Sequence, residues 1–206
     1  IGWTTDIIAT TRPDMEAFYR RHYAPGNMTI AVVGDAGLDR VRALAEAYFG
    51  PMEEKERTPA CITREPEQRS RRRFTQKGPN QPLYMEAYHG VDQLHEDAKP
   101  LDILADILAR GRVSRLHQRL VVEQGLAQAI HVFNGFPGDR YAGLFTIYAV
   151  PRKDASLESL TDALHKELSR IAGEGVRQEE LDRAKTRIRA DLIRGLRSNL
   201  GLARKL

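Results

Sequence analysis

Histidine and glutamate are the usual zinc ligands in a chain that is poor in cysteine. The chain has six histidines, and the closest two, His89 and His95, are six residues apart. A zinc site on a helix needs two histidines about one turn apart, and neither H-E-x-x-H nor its inverse, H-x-x-E-H, occurs. The sequence therefore predicts no metal site and no cofactor in this chain. A site assembled from distant histidines stays open as the less favoured alternative.

Nucleophilic and phosphate-binding motifs are also missing. The single cysteine, Cys61, lies in a polar segment, and no G-x-S-x-G or G-x-x-x-x-G-K-[ST] motif occurs. The carboxylate pairs Glu53-Glu54 and Glu179-Glu180 stand where a solvated linker and a helix N-terminus would place them. We therefore expect no catalytic residue here. A sheet with an open edge, however, could still bind an extended peptide.

Composition and charge limit the kinds of partner that we expect. The 206 residues include 32 Lys and Arg and 28 Asp and Glu, so the two signs of charge nearly balance. The sequence has no run of 18 apolar residues, the length that could span a bilayer. The arginine run 69–73 could contact phosphates, but no nucleic-acid-binding module surrounds it, so we predict no nucleic-acid partner. With one cysteine, bacterial periplasm and cytoplasm fit equally well.

Periodicity and turn residues predict the elements that would position any site. Pairs of strands followed by pairs of helices predict an α+β fold, an antiparallel sheet with helices packed on one face. The predicted helices cover about 12–23, 38–49, 100–109, 114–124, 157–171 and 181–196, and the predicted strands cover 28–33, 71–76, 83–89, 126–133 and 141–150.

The segment 51–68 is rich in charge and proline and has no apolar period, so it predicts a linker. It separates residues 1–50 from a larger domain over 69–206. Because the first residue is Ile1, we expect a fragment or a processed chain.

Several short motifs, in this order and spacing, resemble the M16 metallopeptidases, the family of pitrilysin, insulin-degrading enzyme and mitochondrial processing peptidase. The motifs are Tyr23-Ala24-Pro25, Val33-Gly34-Asp35, Tyr48-Phe49-Gly50, Ser114-Arg115-Leu116, Gly125-Leu126-Ala127 and Gly143-Leu144-Phe145. In such proteins two similar α+β domains enclose a chamber for unfolded peptide, and the first domain carries the zinc on H-x-x-E-H. The resemblance implies that residues 1–50 are the tail of the preceding zinc domain and that 69–206 are the inactive second domain.

Some members of the family hold the substrate with an Arg and a Tyr seven residues apart in the second domain. The matching positions here are Val121 and Gln128, which lack the guanidinium and the phenol. The resemblance therefore implies that a homologous partner subunit supplies this pair, or that the parent protein is degenerate.

The function expected from this resemblance is that of a non-catalytic C-terminal domain of a zinc metalloendopeptidase. It would form one wall of the peptide-binding chamber and pair with an N-terminal zinc domain, while zinc in the parent activates the attacking water. The alternative is a non-enzymatic assembly or scaffolding module of the same fold, whose parent has lost the zinc ligands.

Overall fold

The computed structural model describes residues 3–55 and 66–206, which fall into two compact units. One unit comprises the described residues of Ile1–Arg73 together with Ile193–Leu206, and the other comprises Phe74–Leu192. The predicted division at 51–68 stays a prediction, and residues 56–65, including Cys61, lie outside the described residues.

The first unit is built from short helices. Its elements are α1 (Thr4–Ala9), α2 (Arg12–His22), a 3-10 turn (Pro25–Asn27), α3 (Leu38–Phe49) and α7 (Asn199–Ala203). The predicted start of α2 is confirmed, because the Asp14 carboxylate accepts hydrogen bonds from Thr11 N at 2.9 Å and Thr11 Oγ1 at 2.6 Å. These bonds close the first turn of the helix and lower the pKa of Asp14.

Two strand predictions are wrong. Residues 28–33 and 71–76 form no strand, and Ile30 and Val32 are each 54% exposed. A strand needs a neighbour to pair its backbone groups, and the described residues provide none for either segment. The apolar pattern of 28–33 therefore does not by itself establish that the segment is buried or paired in a sheet.

The second unit holds a three-stranded antiparallel sheet, β1 (Tyr84–His89), β2 (Ala127–Phe136) and β3 (Leu144–Pro151), in the order β1-β3-β2. Its helices are α4 (Ala98–Ala109), a π-helix (His117–Glu123), α5 (Leu157–Glu174) and most of α6 (Gln178–Gly195). The predicted β2–β3 hairpin and the predicted α+β fold are both confirmed.

Alternation along β3 separates the two faces of this sheet. Phe145, Ile147 and Ala149 are buried among residues of α4, the π-helix and α5. On the opposite face, Met85, Tyr148 and His131 stand in register across the three strands. The helices thus cover one face, as predicted. The buried core consists of Ala105, Leu108, Leu116, Leu120, Ala127, Ile130, Phe145, Ile147, Ala149, Leu160, Ala163, Leu164 and Ile171.

Candidate functional site

The two site positions predicted from the sequence lie on neighbouring elements of the second unit. Val121, on the π-helix, is partly buried and packs against the core. Gln128, at the start of β2, is exposed, and its Oε1 accepts a hydrogen bond from Gln81 Nε2 at 3.0 Å. Gln128 lines a cleft and Val121 does not, so the structure does not bring the two side chains together in that cleft.

The cleft runs between β2 and α4 and has a volume of about 530 Å³. The α4 helix runs antiparallel to β2, because Asn134 Nδ2 near the end of the strand donates to Asp102 Oδ1 at 2.9 Å and Ala98 O at 3.2 Å in the first turns of the helix. The lining residues are Asp102, Ala105, Asp106, Ala109, Arg110, Gly111, Arg112, His117 and the six residues 128–133.

The edge of β2 forms one wall of the cleft. Successive side chains of a strand point to opposite faces, so six consecutive residues can line one cleft only when the edge of the strand faces it. Within the described residues β2 pairs with β3 alone. Its second edge therefore presents backbone N–H and C=O groups that can accept another extended chain.

Most charges in the cleft are already paired. Asp102 Oδ2 lies 3.2 Å from Lys99 Nζ. The buried Asp106 carboxylate lies 3.1 Å from Arg187 Nη1 and 3.5 Å from Arg110 Nε. Burial raises the pKa of Asp106 above its ordinary value, although these two guanidinium groups offset part of the rise.

The loop that follows α4 closes one end of the cleft. Gly111 adopts φ +80°, a backbone conformation that favours glycine, and Ser114 Oγ donates to Gly111 O at 2.7 Å. Arg187 Nη1 donates to Arg110 O at 2.6 Å, and Gln118 Nε2 donates to Arg112 O. These bonds hold the backbone of residues 110–114 in place.

Behind this loop, an ion pair joins the start of the π-helix region to α6. Arg115 Nε donates to Glu180 Oε1 at 2.7 Å, and Arg115 Nη2 donates to Glu180 Oε2 at 2.5 Å. The two side chains are only 9% and 5% exposed. Arg177 N also donates to Glu180 Oε2, at 3.0 Å, so the buried carboxylate has several donors.

The described residues offer no cluster of side chains that suits zinc. Among residues 3–55 and 66–206, no three or more His, Cys, Asp or Glu side chains are grouped so as to hold a metal ion. His165 pairs with a carboxylate of the protein itself, because its Nε2 lies 2.9 Å from Glu86 Oε2. Burial raises the pKa of Glu86, but hydrogen bonds from Tyr88, Tyr84 and His165 outweigh burial and bring the pKa below its ordinary value.

Sequence reasoning missed the residues that build the cleft. Arg112 and His117 carry no motif, and their shared location depends on how α4 and the π-helix pack beside β2. His117 contributes its ring to the wall, and its Nδ1 is buried without a hydrogen-bond partner. His131 and Phe133 stand two residues apart on the exposed face of β2, a pattern that could have marked the strand as a surface element.

No described helix is both long enough and apolar enough to cross a bilayer.

Comparison with solved structures places the fold among proteases. The chain superposes on a protease from Helicobacter pylori with a TM-score of 0.88 and 26% identity, covering 98% of this chain and 49% of that one. A peptidase M16 inactive domain from Pseudomonas fluorescens gives a TM-score of 0.70 at 24% identity, covering 98% of this chain and 47% of that one.

Comparison with curated sequences gives the same class of relatives. The chain is 30% identical to an uncharacterized zinc protease of Rickettsia bellii, over 93% of this chain and 45% of the relative. It is 28% identical to the zinc protease PqqE of Helicobacter pylori, over 98% of this chain and 46% of the relative. The chain thus spans a little under half the length of the curated relatives it matches.

A family profile decides the classification. The profile described as the peptidase M16 inactive domain matches residues 9–188, most of the chain. The relatives named zinc proteases and the shared fold agree with that match, so this chain belongs to the peptidase M16 inactive-domain family.

Proposed function

We propose that this chain is the non-catalytic C-terminal part of a zinc-dependent metalloendopeptidase and that its cleft holds an extended substrate peptide. The open edge of β2 is the observation that carries this proposal. A peptide laid along residues 128–133 would pair its backbone with the strand as one more strand of the sheet. Such binding reads main chain more than side chains.

Hydrolysis belongs, in this proposal, to a zinc-bearing domain outside the present chain. The sequence has no H-x-x-E-H motif, and the described residues hold no metal-binding group. The relatives that share this fold are named zinc proteases and are about twice as long. The chain would therefore form one wall of the peptide-binding chamber, opposite the catalytic domain.

Residues 1–50 would complete that preceding zinc-type domain. In the first unit, Ile7, Ile8, Phe18, Tyr19 and Ile30 are each more than half exposed. Soluble proteins rarely leave so many large apolar side chains in water unless a partner covers them. We assign this cover to the N-terminal zinc-binding domain of the same parent protein.

The substitutions at Val121 and Gln128 favour the hypothesis that the parent protein works with a second subunit. If the substrate needs the Arg and Tyr of the family pattern, a homologous partner subunit must provide them. The same substitutions favour the alternative, an assembly or scaffolding module whose parent has lost its zinc ligands. The residues that precede Ile1 in the parent distinguish the two: H-x-x-E-H is expected in a peptidase and absent in a scaffold.

The proposal predicts that the 206-residue chain binds an extended peptide without cleaving it. Fluorescence polarisation with a labelled unstructured peptide measures binding, and mass spectrometry with added zinc measures cleavage. We expect binding, an intact peptide, and far less than one zinc per chain by elemental analysis.

A helix-stapled version of the same peptide is the matched control. Its backbone groups are already paired within the helix, so we expect it to bind at least about tenfold more weakly. Cleavage by this chain with one zinc bound, or equal binding of the stapled peptide, would contradict the proposal.

A further inference from the structure

We infer that the cleft prefers peptides that carry an aspartate or glutamate side chain opposite Arg112, an inference that rests on the proposed peptide-binding function. The feature behind it is an unbalanced positive charge at one end of the cleft. Arg112 lines the cleft, is exposed, and lies in the loop between α4 and the π-helix.

The other charged side chains of the cleft are engaged. Asp106 pairs with Arg187 and Arg110, and Asp102 pairs with Lys99. Arg110 is also held by Asp191. No ion pair joins Arg112 to a carboxylate in the described part of the chain. Arg112 is therefore the charge of the cleft that a ligand carboxylate can neutralise without breaking an existing pair.

The backbone beneath Arg112 is fixed before any ligand binds. Gln118 Nε2 donates to Arg112 O, and the neighbouring carbonyls of Arg110 and Gly111 accept from Arg187 and Ser114. Only the side-chain torsions of Arg112 must therefore be ordered when a carboxylate arrives. Preorganisation of this kind reduces the entropy cost of binding. The planar guanidinium also suits a carboxylate, which it can grip with two parallel hydrogen bonds.

The cleft also specifies where along the peptide the acidic residue should stand. Since α4 runs antiparallel to β2, the loop with Arg112 lies at the Gln128 end of the strand, and Asp102 lies toward the Phe133 end. An acidic side chain is attracted by Arg112 at the first end, whereas no arginine or lysine among the described residues lines the second end. The position of the charge should therefore set the register of the bound strand.

The test compares two peptides that differ in one side chain. Both are ten-residue extended peptides, acetylated and amidated so that their ends carry no charge, with a single Glu or a Gln near one end. In fluorescence polarisation at low salt, we expect the Glu peptide to bind the 206-residue chain about fivefold more tightly than the Gln peptide. Moving the Glu to the other end of the peptide should reduce that preference.

Arg112→Gln and Arg189→Gln make a matched pair of variants. Arg189 is exposed on α6 and is not part of the cleft, so both variants lose one positive charge from the surface. We expect Arg112→Gln to bind the two peptides equally, while Arg189→Gln keeps the fivefold preference. Circular dichroism confirms that both variants fold.

The outcomes separate this inference from the proposed function. Equal binding of the Glu and Gln peptides to the unmodified chain would overturn the preference and leave peptide binding intact. The same loss of preference in both variants would also overturn it, because net charge alone would then explain the effect. If neither peptide binds, the proposed function fails and this inference fails with it.

Discussion

Replacing Glu180 by glutamine is expected to lower the free energy of unfolding of this protein by about 3 kcal/mol, because it leaves a buried guanidinium without its counter-charge. Arg115 and Glu180 are 9% and 5% exposed and share two hydrogen bonds of 2.7 and 2.5 Å. Glutamine fits the space, but it cannot neutralise Arg115, which stays buried as a charge. Urea unfolding followed by circular dichroism measures the loss.

Glu179→Gln is the matched control for this variant. Glu179 lies beside Glu180 in the first turn of α6 but is exposed, so its loss should change stability by no more than about 0.5 kcal/mol. If the two variants unfold at the same urea concentration, the buried pair does not stabilise the fold as argued.

The Glu180 variant should also change how stability depends on pH. Hydrogen bonds from Arg115, opposed by burial and helped by Arg177, hold the pKa of Glu180 well below its ordinary value. A carboxyl whose folded pKa is depressed adds stability above its unfolded pKa, and that stability is lost as pH falls toward the folded pKa. The unmodified chain should therefore lose more stability than Glu180→Gln between pH 7 and pH 3.

Replacing Leu164 by alanine is expected to cost about 3 kcal/mol of unfolding free energy. Leu164 is fully buried on α5, in the core that also contains Leu120 and Ile147. Truncation removes apolar contacts within this core, and it leaves a cavity that the surrounding elements cannot fully close. The same urea titration measures this loss.

Leu94→Ala controls for the change of side chain. Leu94 is 90% exposed in the second unit, so the same truncation there should cost no more than about 0.5 kcal/mol. A loss at Leu164 no larger than the loss at Leu94 would show that the helices do not pack on the sheet as described.

Local patterns in the sequence predict most of the helices and the β2–β3 hairpin. Thr11-Arg12-Pro13-Asp14 marks the start of α2, because its capping residues act over one turn and need no distant partner. The stripes of leucine on α5 and the Gly-rich turn between β2 and β3 are equally local. Signals of this short range can be read from the sequence because they depend on neighbouring residues and not on distant parts of the chain.

The failures come from features that depend on distant partners. An apolar run such as 28–33 shows that a segment suits burial, but pairing into a sheet depends on a neighbour that no local pattern names. The helix predicted to restart at Ser114 is present, but most of it, His117–Glu123, is a π-helix, where Gln124 N donates to Arg119 O five residues earlier. Leucine spacing does not distinguish these two kinds of helix.

The candidate site was the least predictable part. Resemblance to the family pointed to Gln128, which does line the cleft, but the cleft itself depends on the strand order β1-β3-β2. In the described part of the chain that order leaves one edge of β2 unpaired beside α4, and Arg112, in the loop after α4, lines the same cleft. Nothing in the sequence near Arg112 indicates this neighbourhood.

Hydrogen–deuterium exchange with and without an extended peptide tests most directly whether β2 is the strand to which substrate adds. The 206-residue chain offers an internal control, because β1 forms the opposite edge of the same sheet. We predict slower exchange on peptide addition at residues 128–133, with no change at Tyr84–His89. Unchanged exchange along β2, or equal protection of β1, would contradict peptide binding in the cleft.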